Sequence, residues 1–140
     1  MFDGLDSTIR ECEYDDINTM NEWYDVVLHN AKSFLESFKE EDWEKLFKVL
    51  PYKSVVWQKR LCDCLSDTTN PNVLKALLYM SKTNDIELFS YVIGRLASYD
   101  ASDIEDFDIL CEKVEQNLDK VQGYYQERFT QFLEKKNRVR

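Results

Sequence analysis

His29 is the single histidine of this 140-residue chain, so a Ser-His-Asp triad, a Cys-His pair or a multi-histidine metal site would each depend on it. It follows Leu28 in a helical pattern with no Glu-x-x-His neighbour, which removes the support for a di-iron bundle site and leaves a structural or surface histidine. Cys12, Cys62, Cys64 and Cys111 are the remaining soft ligands. In a helix, residues 62 and 64 point to different faces, which suits neither a zinc pair nor a redox motif, so free thiols in a reducing compartment are expected. Gly4, Gly94 and Gly123 are isolated, and no glycine-rich phosphate loop can be built from them. The string Asp100-Ala-Ser-Asp103-Ile-Glu105-Asp106-Phe-Asp108 has the acid density of a calcium loop but neither its central glycine nor its alternation of ligands; Ile104 and Phe107 fit helix burial instead. Carboxylate pairs are abundant, and no spacing singles one out for acid–base work. The expectation is a protein that is not an enzyme, with no cofactor, no metal and no small-molecule ligand.

Charge carries more information. The formal net charge is −9, unevenly spread. Residues 1–16 hold six acids against Arg10, and residues 99–119 hold eight acids against Lys113. The tail 128–140 reverses the sign, with five bases against Glu134. Such a field repels nucleic acid and anionic lipid and attracts basic partners. Two readings of the acids stand side by side. They can be solvated helix starts, placed for the dipole and for solubility. Alternatively they form a docking surface, where charge speeds association and rejects wrong partners. The 99–119 run extends past a first helical turn to Glu112 and Glu115, more than a cap requires. The candidate partner-binding residues are therefore Tyr99, Asp100, Asp103, Glu105, Asp106, Asp108, Glu112 and Glu115, with Tyr99 and Phe107 as aromatic anchors and the N-terminal acids second.

The elements that must position these residues are helices. Three glycines and two prolines are too few turn signals for a hairpin-rich β fold. Apolar runs are only a few residues long, so no transmembrane span is expected, and the acidic N-terminus shows no signal peptide; a cytoplasmic location follows by default. Residues 1–14 read as an irregular acidic arm, with Asp15 or Asp16 as a helix cap. Ile17, Met20, Tyr24, Val27, Leu28, Ala31, Leu35 and Phe38 then mark one stripe of an amphipathic helix. A second helix opens at Glu40-Glu41-Asp42, buries Trp43, Leu46, Phe47 and Leu50, and stops at Pro51. Ser54 caps a third, whose face is Trp57, Leu61, Cys64 and Leu65. In that helix Gln58 or Arg60 can bond across to a neighbouring hairpin, or Arg60 with Lys53 and Lys59 can face an anion. Asn70-Pro71 starts a fourth helix with Val73, Leu74, Leu77 and Leu78 inside, and Thr83-Asn84-Asp85 turns into a fifth with Ile86, Phe89, Val92, Ile93 and Leu96.

Shifting the second and third helices by 31 residues superimposes Trp43 on Leu74, Leu46 on Leu77, Phe47 on Leu78, Trp57 on Leu88, Leu61 on Val92 and Leu65 on Leu96. That is the kind of period that stacked helical hairpins show. Ser102 or Asp103 should cap the last segment, where a stripe from Ile104 to Leu133 gives one long helix or a pair meeting near Gly123. The basic residues 135–140 should fray. The expected fold is all-α: a single helical domain over 1–140, made of stacked antiparallel hairpins of HEAT-like form with a long C-terminal helix or helix pair.

One stretch resembles a known family. Leu50-Pro51-Tyr52-Lys53-Ser54-Val55-Val56-Trp57-Gln58-Lys59-Arg60-Leu61, then Leu65-Ser66-Asp67, Leu74…Leu77-Leu78 and Asp85-x-Glu87-Leu88-Phe89, resembles the small α-helical immunity proteins of contact-dependent growth inhibition and other polymorphic toxin systems. The resemblance covers residues 40–98 and rests on residues that hold hairpins together; the polar Cys62-Asp63-Cys64 departs from the small apolar residues expected there. It implies a cytoplasmic antidote that binds and neutralises a cognate toxin domain, often a basic nuclease, without catalysis. It implies neither nucleic acid nor membrane as direct partner. A helical-repeat adaptor or regulatory subunit for a basic cellular protein is the alternative from a different class; gene neighbourhood separates the two.

Overall fold

A computed structural model describes residues 1–13 and 17–139, with the side chains of 17–19 and 138–139 left aside. The described residues are all-helical, without strands, and no helix among them is long and apolar enough to cross a membrane. They gather into two compact units, Met1–Ser66 and Asp67–Arg140.

In the first unit, α1 (Phe2–Arg10) occupies the stretch expected to be an irregular arm. Phe2, Leu5 and Ile9 recur at helical spacing and are buried, followed by buried Cys12. The four acids of that stretch, Asp3, Asp6, Glu11 and Glu13, masked this short stripe in the sequence. Gly4 lets α1 approach α3 (Leu28–Glu36) closely: a Cβ there would stand 2.5 Å from the Phe34 ring. Ahead of α3, α2 (Ile17–Glu22) passes through a π-helical turn at Trp23–Val27. The wider turn shifts the apolar stripe. Trp23, Val27 and Ala31 are buried, whereas Met20 and Tyr24, both expected inside, are exposed. The caps proposed at Asp15 or Asp16 lie outside the described residues.

Then come α4 (Glu40–Val49), a 3₁₀ turn carrying Pro51, and α5 (Val55–Cys64). Asp42 accepts from the Lys39 N–H at 2.9 Å to close the start of α4, and Ser54 accepts from the Trp57 N–H at 3.1 Å to cap α5. α1 packs on α3, α4 and α5.

In the second unit, Asn70 and Asp85 cap α6 (Pro71–Met80) and α7 (Ile86–Leu96), as the sequence leads one to expect. The 31-residue offset holds in three dimensions: α4 and α6 start and end at that offset, and α5 and α7 start at it. Four of the six pairs, Leu46 and Leu77, Trp57 and Leu88, Leu61 and Val92, and Leu65 and Leu96, are buried in both copies, whereas Leu74, Leu78 and Phe47, expected inside, are half-buried.

Beyond α7, Ser102 and Asp103 do not cap a helix; they belong to a 3₁₀ turn at Ala101–Asp103. The chain enters α8 (Phe107–Asn117) through Asp106, whose φ of 54° is left-handed. Of the one-helix and two-helix alternatives, the structure takes two. α8 ends in a 3₁₀ turn, and after Gly123 (φ 59°) the chain enters α9 (Tyr124–Val139). The tail expected to fray continues α9 to Val139, because Lys135 is buried and bonded.

Candidate protein-docking surface

The residues that could have carried chemistry are placed first. Cys12, Cys62, Cys64 and Cys111 are buried free thiols. Burial pushes Cys111 up to about 11, well away from the thiolate that reactivity requires. His29 is exposed on α3. Arg60 is buried, donates from Nε to the Cys12 carbonyl at 3.1 Å, lies 5.6 Å from the Trp23 ring, and among the described residues pairs with no carboxylate. The bond expected to reach a neighbouring hairpin goes instead to the turn after α1, and Gln58 donates locally to the Lys53 carbonyl at 3.0 Å. Asp63, the polar residue out of pattern between two cysteines, accepts from Trp23 Nε1 at 2.9 Å.

Two acids of the N-terminal stretch, Asp6 and Glu13, serve the first unit's own structure, as does Asp42 at the start of α4. Asp3 and Glu11 are exposed and, among the described residues, form no ion pair. Asp6 Oδ1 accepts from Lys53 Nζ at 2.7 Å and from Trp57 Nε1 at 3.0 Å, tying α1 to α5. Glu13 accepts from the Ser54 hydroxyl at 2.8 Å. Asp42 takes the Phe2 N–H at 3.0 Å as well as that of Lys39, and these two backbone bonds hold its carboxyl below the usual range.

The second acidic stretch is arranged differently. Asp100, Asp103, Glu105, Asp106, Asp108 and Glu112 are exposed, and among the described residues none forms an ion pair. Glu115 is exposed too, but its carboxylate is bound by Lys136 at 2.7 Å, so part of the basic tail folds back onto the acids. Tyr99 is not an anchor. It is 7% exposed, its carbonyl accepts from Lys135 Nζ, and burial raises its phenol above the ordinary value. It continues the Leu88-Val92-Leu96 stripe of α7 for one more turn, which is why it turns inward. Phe107 is half-buried against Phe132, with ring centres 5.3 Å apart. The apolar residue on display is Ile109, 67% exposed between Asp108 and Glu112 on α8. Its signal was present in the sequence: it lies off the stripe set by Leu110, Cys111 and Val114, with no core position to fill.

No family model, curated protein or solved structure matches the chain.

The displayed acids stand on a firm support. Leu110, Cys111 and Val114 of α8 are buried, and α8 packs on α9. Phe89 meets Phe129 edge-on at 5.7 Å, joining α7 to α9. Lys113, the one base of the acidic run, donates to the carbonyls of Ser81 at 2.8 Å and Thr83 at 2.5 Å and lies 4.6 Å from the Phe89 ring. Desolvation lowers its pKa. Its charge is turned into the fold, and the carboxylates around it keep theirs for solvent or a partner.

Proposed function

We propose that the protein is an immunity protein: it binds a basic toxin domain, a nuclease in the simplest case, and neutralises it by occupying its cleft without catalysis. The observation that carries this reading is the acidic surface from Asp100 to Glu112, exposed and without ion pairs among the described residues, whose Asp108 and Glu112 stand on α8 with the exposed Ile109 between them in sequence. Six carboxylates spaced along one turn and one helix offer a rough substitute for the charge of a phosphate backbone, and long-range attraction to a basic cleft raises the encounter rate. Exposed carboxylates repel one another, and a basic partner relieves that repulsion on binding. The likeness of residues 40–98 to immunity proteins points the same way.

The test is binding of the purified protein to the toxin domain encoded beside its gene, with the toxin's activity titrated against it. The reading expects inhibition that saturates at a fixed ratio and is lost when the acidic surface is neutralised. A toxin that remains fully active with the protein in excess would end it.

A further inference from the structure

Two apolar stripes compete for one inward face ahead of α3. Counting back from buried Ala31 and Val27 by the α-helical period of about 3.6 residues brings Tyr24 and Met20 inside. The π turn at Trp23–Val27 absorbs one extra residue: the Leu28 N–H donates to the Trp23 carbonyl, five positions back. The helix before it is advanced by one position. Trp23 therefore fills the inward slot, and Tyr24 is 47% exposed with Met20 one turn away, exposed too.

Each arrangement satisfies what the other leaves open. The observed one buries the larger ring and gives Trp23 Nε1 the Asp63 carboxylate. It forgoes α-helical bonding over one turn and holds the Met20 side chain in water. It also leaves Arg60, 3% exposed against the Trp23 ring, with an Nη2 that has no acceptor among the described residues. That cost weighs against the observed packing. An indole only donates, whereas a phenol in the same slot carries an oxygen able to accept.

We infer that α2 and the π turn exchange between two registers. The first is the one observed, with Trp23 inside. The second, populated at about 1–10%, is continuous α-helix in which Tyr24 and Met20 turn in and Trp23 turns out. The slip rotates α2 by about 100° and moves it about 1.5 Å along its axis, a register shift of the microsecond-to-millisecond kind. It swaps the aromatic side chain that this face of the first unit shows, and it involves none of the acids from Asp100 to Glu112.

Relaxation dispersion on the isotope-labelled full chain, read at Trp23 Nε1–H and the amides of residues 20–27, tests the two registers. The wild type should show exchange at these groups with one shared rate. In Tyr24→Lys, a change at an exposed position, the second register would bury an ammonium, and the exchange should vanish. Deleting Val26, exposed within the π turn, should also end it, because continuous α-helix then keeps Trp23 inside. Asp63→Ala should shift the ratio of the registers about tenfold towards the second, the weight of a buried donor left without its acceptor. Absence of exchange in the wild type would overturn the slip. So would exchange that persists in Tyr24→Lys or in the deletion, or a ratio that Asp63→Ala leaves unchanged.

Discussion

The two acidic stretches of this chain have similar charge density, yet acids of the first are drawn into the fold where six of the second are not. Asp6 and Glu13 of the first spend their oxygens on Lys53, Trp57 and Ser54. Asp100, Asp103, Glu105, Asp106, Asp108 and Glu112 of the second stay exposed and unpaired among the described residues. The difference shows that a run of acids in a sequence is a structural device where donors converge on it and a surface where they do not. Charge counts cannot separate these cases, because the donors come from residues forty or more positions away: Trp57 for Asp6, and Ser54 for Glu13.

Substitutions should divide along the same line. Trp57→Ala removes a fully buried indole and with it the donor to Asp6, and should cost about 3–5 kcal/mol of unfolding free energy in urea titration. Asp6→Ala leaves Trp57 Nε1 and Lys53 without their acceptor and should cost about 1–3 kcal/mol by the same measurement. Equal stability of Asp6→Ala and the wild type would erase the contrast between the stretches.

Neutralising or reversing the second stretch should do the opposite. A variant combining Asp103→Lys, Glu105→Lys and Asp108→Lys with Asp106→Asn should unfold within about 0.5 kcal/mol of the wild type while losing toxin binding. Asparagine is chosen at 106 because the left-handed backbone there suits Asp and Asn and strains a long side chain.

The smallest effect is a matter of pH. Asp42 has a depressed folded-state pKa, so its contribution to stability is complete above the unfolded value of about 4 and lost as pH falls through the lower folded value. The stability gap between wild type and Asp42→Asn should accordingly narrow below about pH 4. A gap that widens on acidification would reverse the assignment.

Much of the architecture was legible from the sequence. Ser54, Asn70 and Asp85 cap where their side chains and the following apolar periods indicated, and the 31-residue offset matches helix for helix. Three features were hidden for identifiable reasons. The stripe of α1 is only three residues long and lies among acids. The π-helical turn at Trp23–Val27 breaks the ideal period, so Trp23 replaced Met20 and Tyr24 inside. Lys135 looked like part of a solvated tail, yet the Tyr99 carbonyl gives its ammonium a buried partner. At the docking surface, six of the eight chosen residues are exposed and unpaired. Glu115 is held by Lys136, and Tyr99 lies inside. Ile109 was passed over because attention to the apolar stripe discards the apolar residue that falls outside it.

The account's central claim is that the stretch from Asp100 to Glu112 is displayed for a basic partner. Stopped-flow association with the neighbouring toxin domain, across a range of ionic strength, tests it most directly. The wild-type rate should fall steeply with added salt, and the four-substitution variant should associate at least about tenfold more slowly at low salt, with the two converging as screening becomes complete. Identical rates and identical salt dependence for the two proteins would contradict the claim.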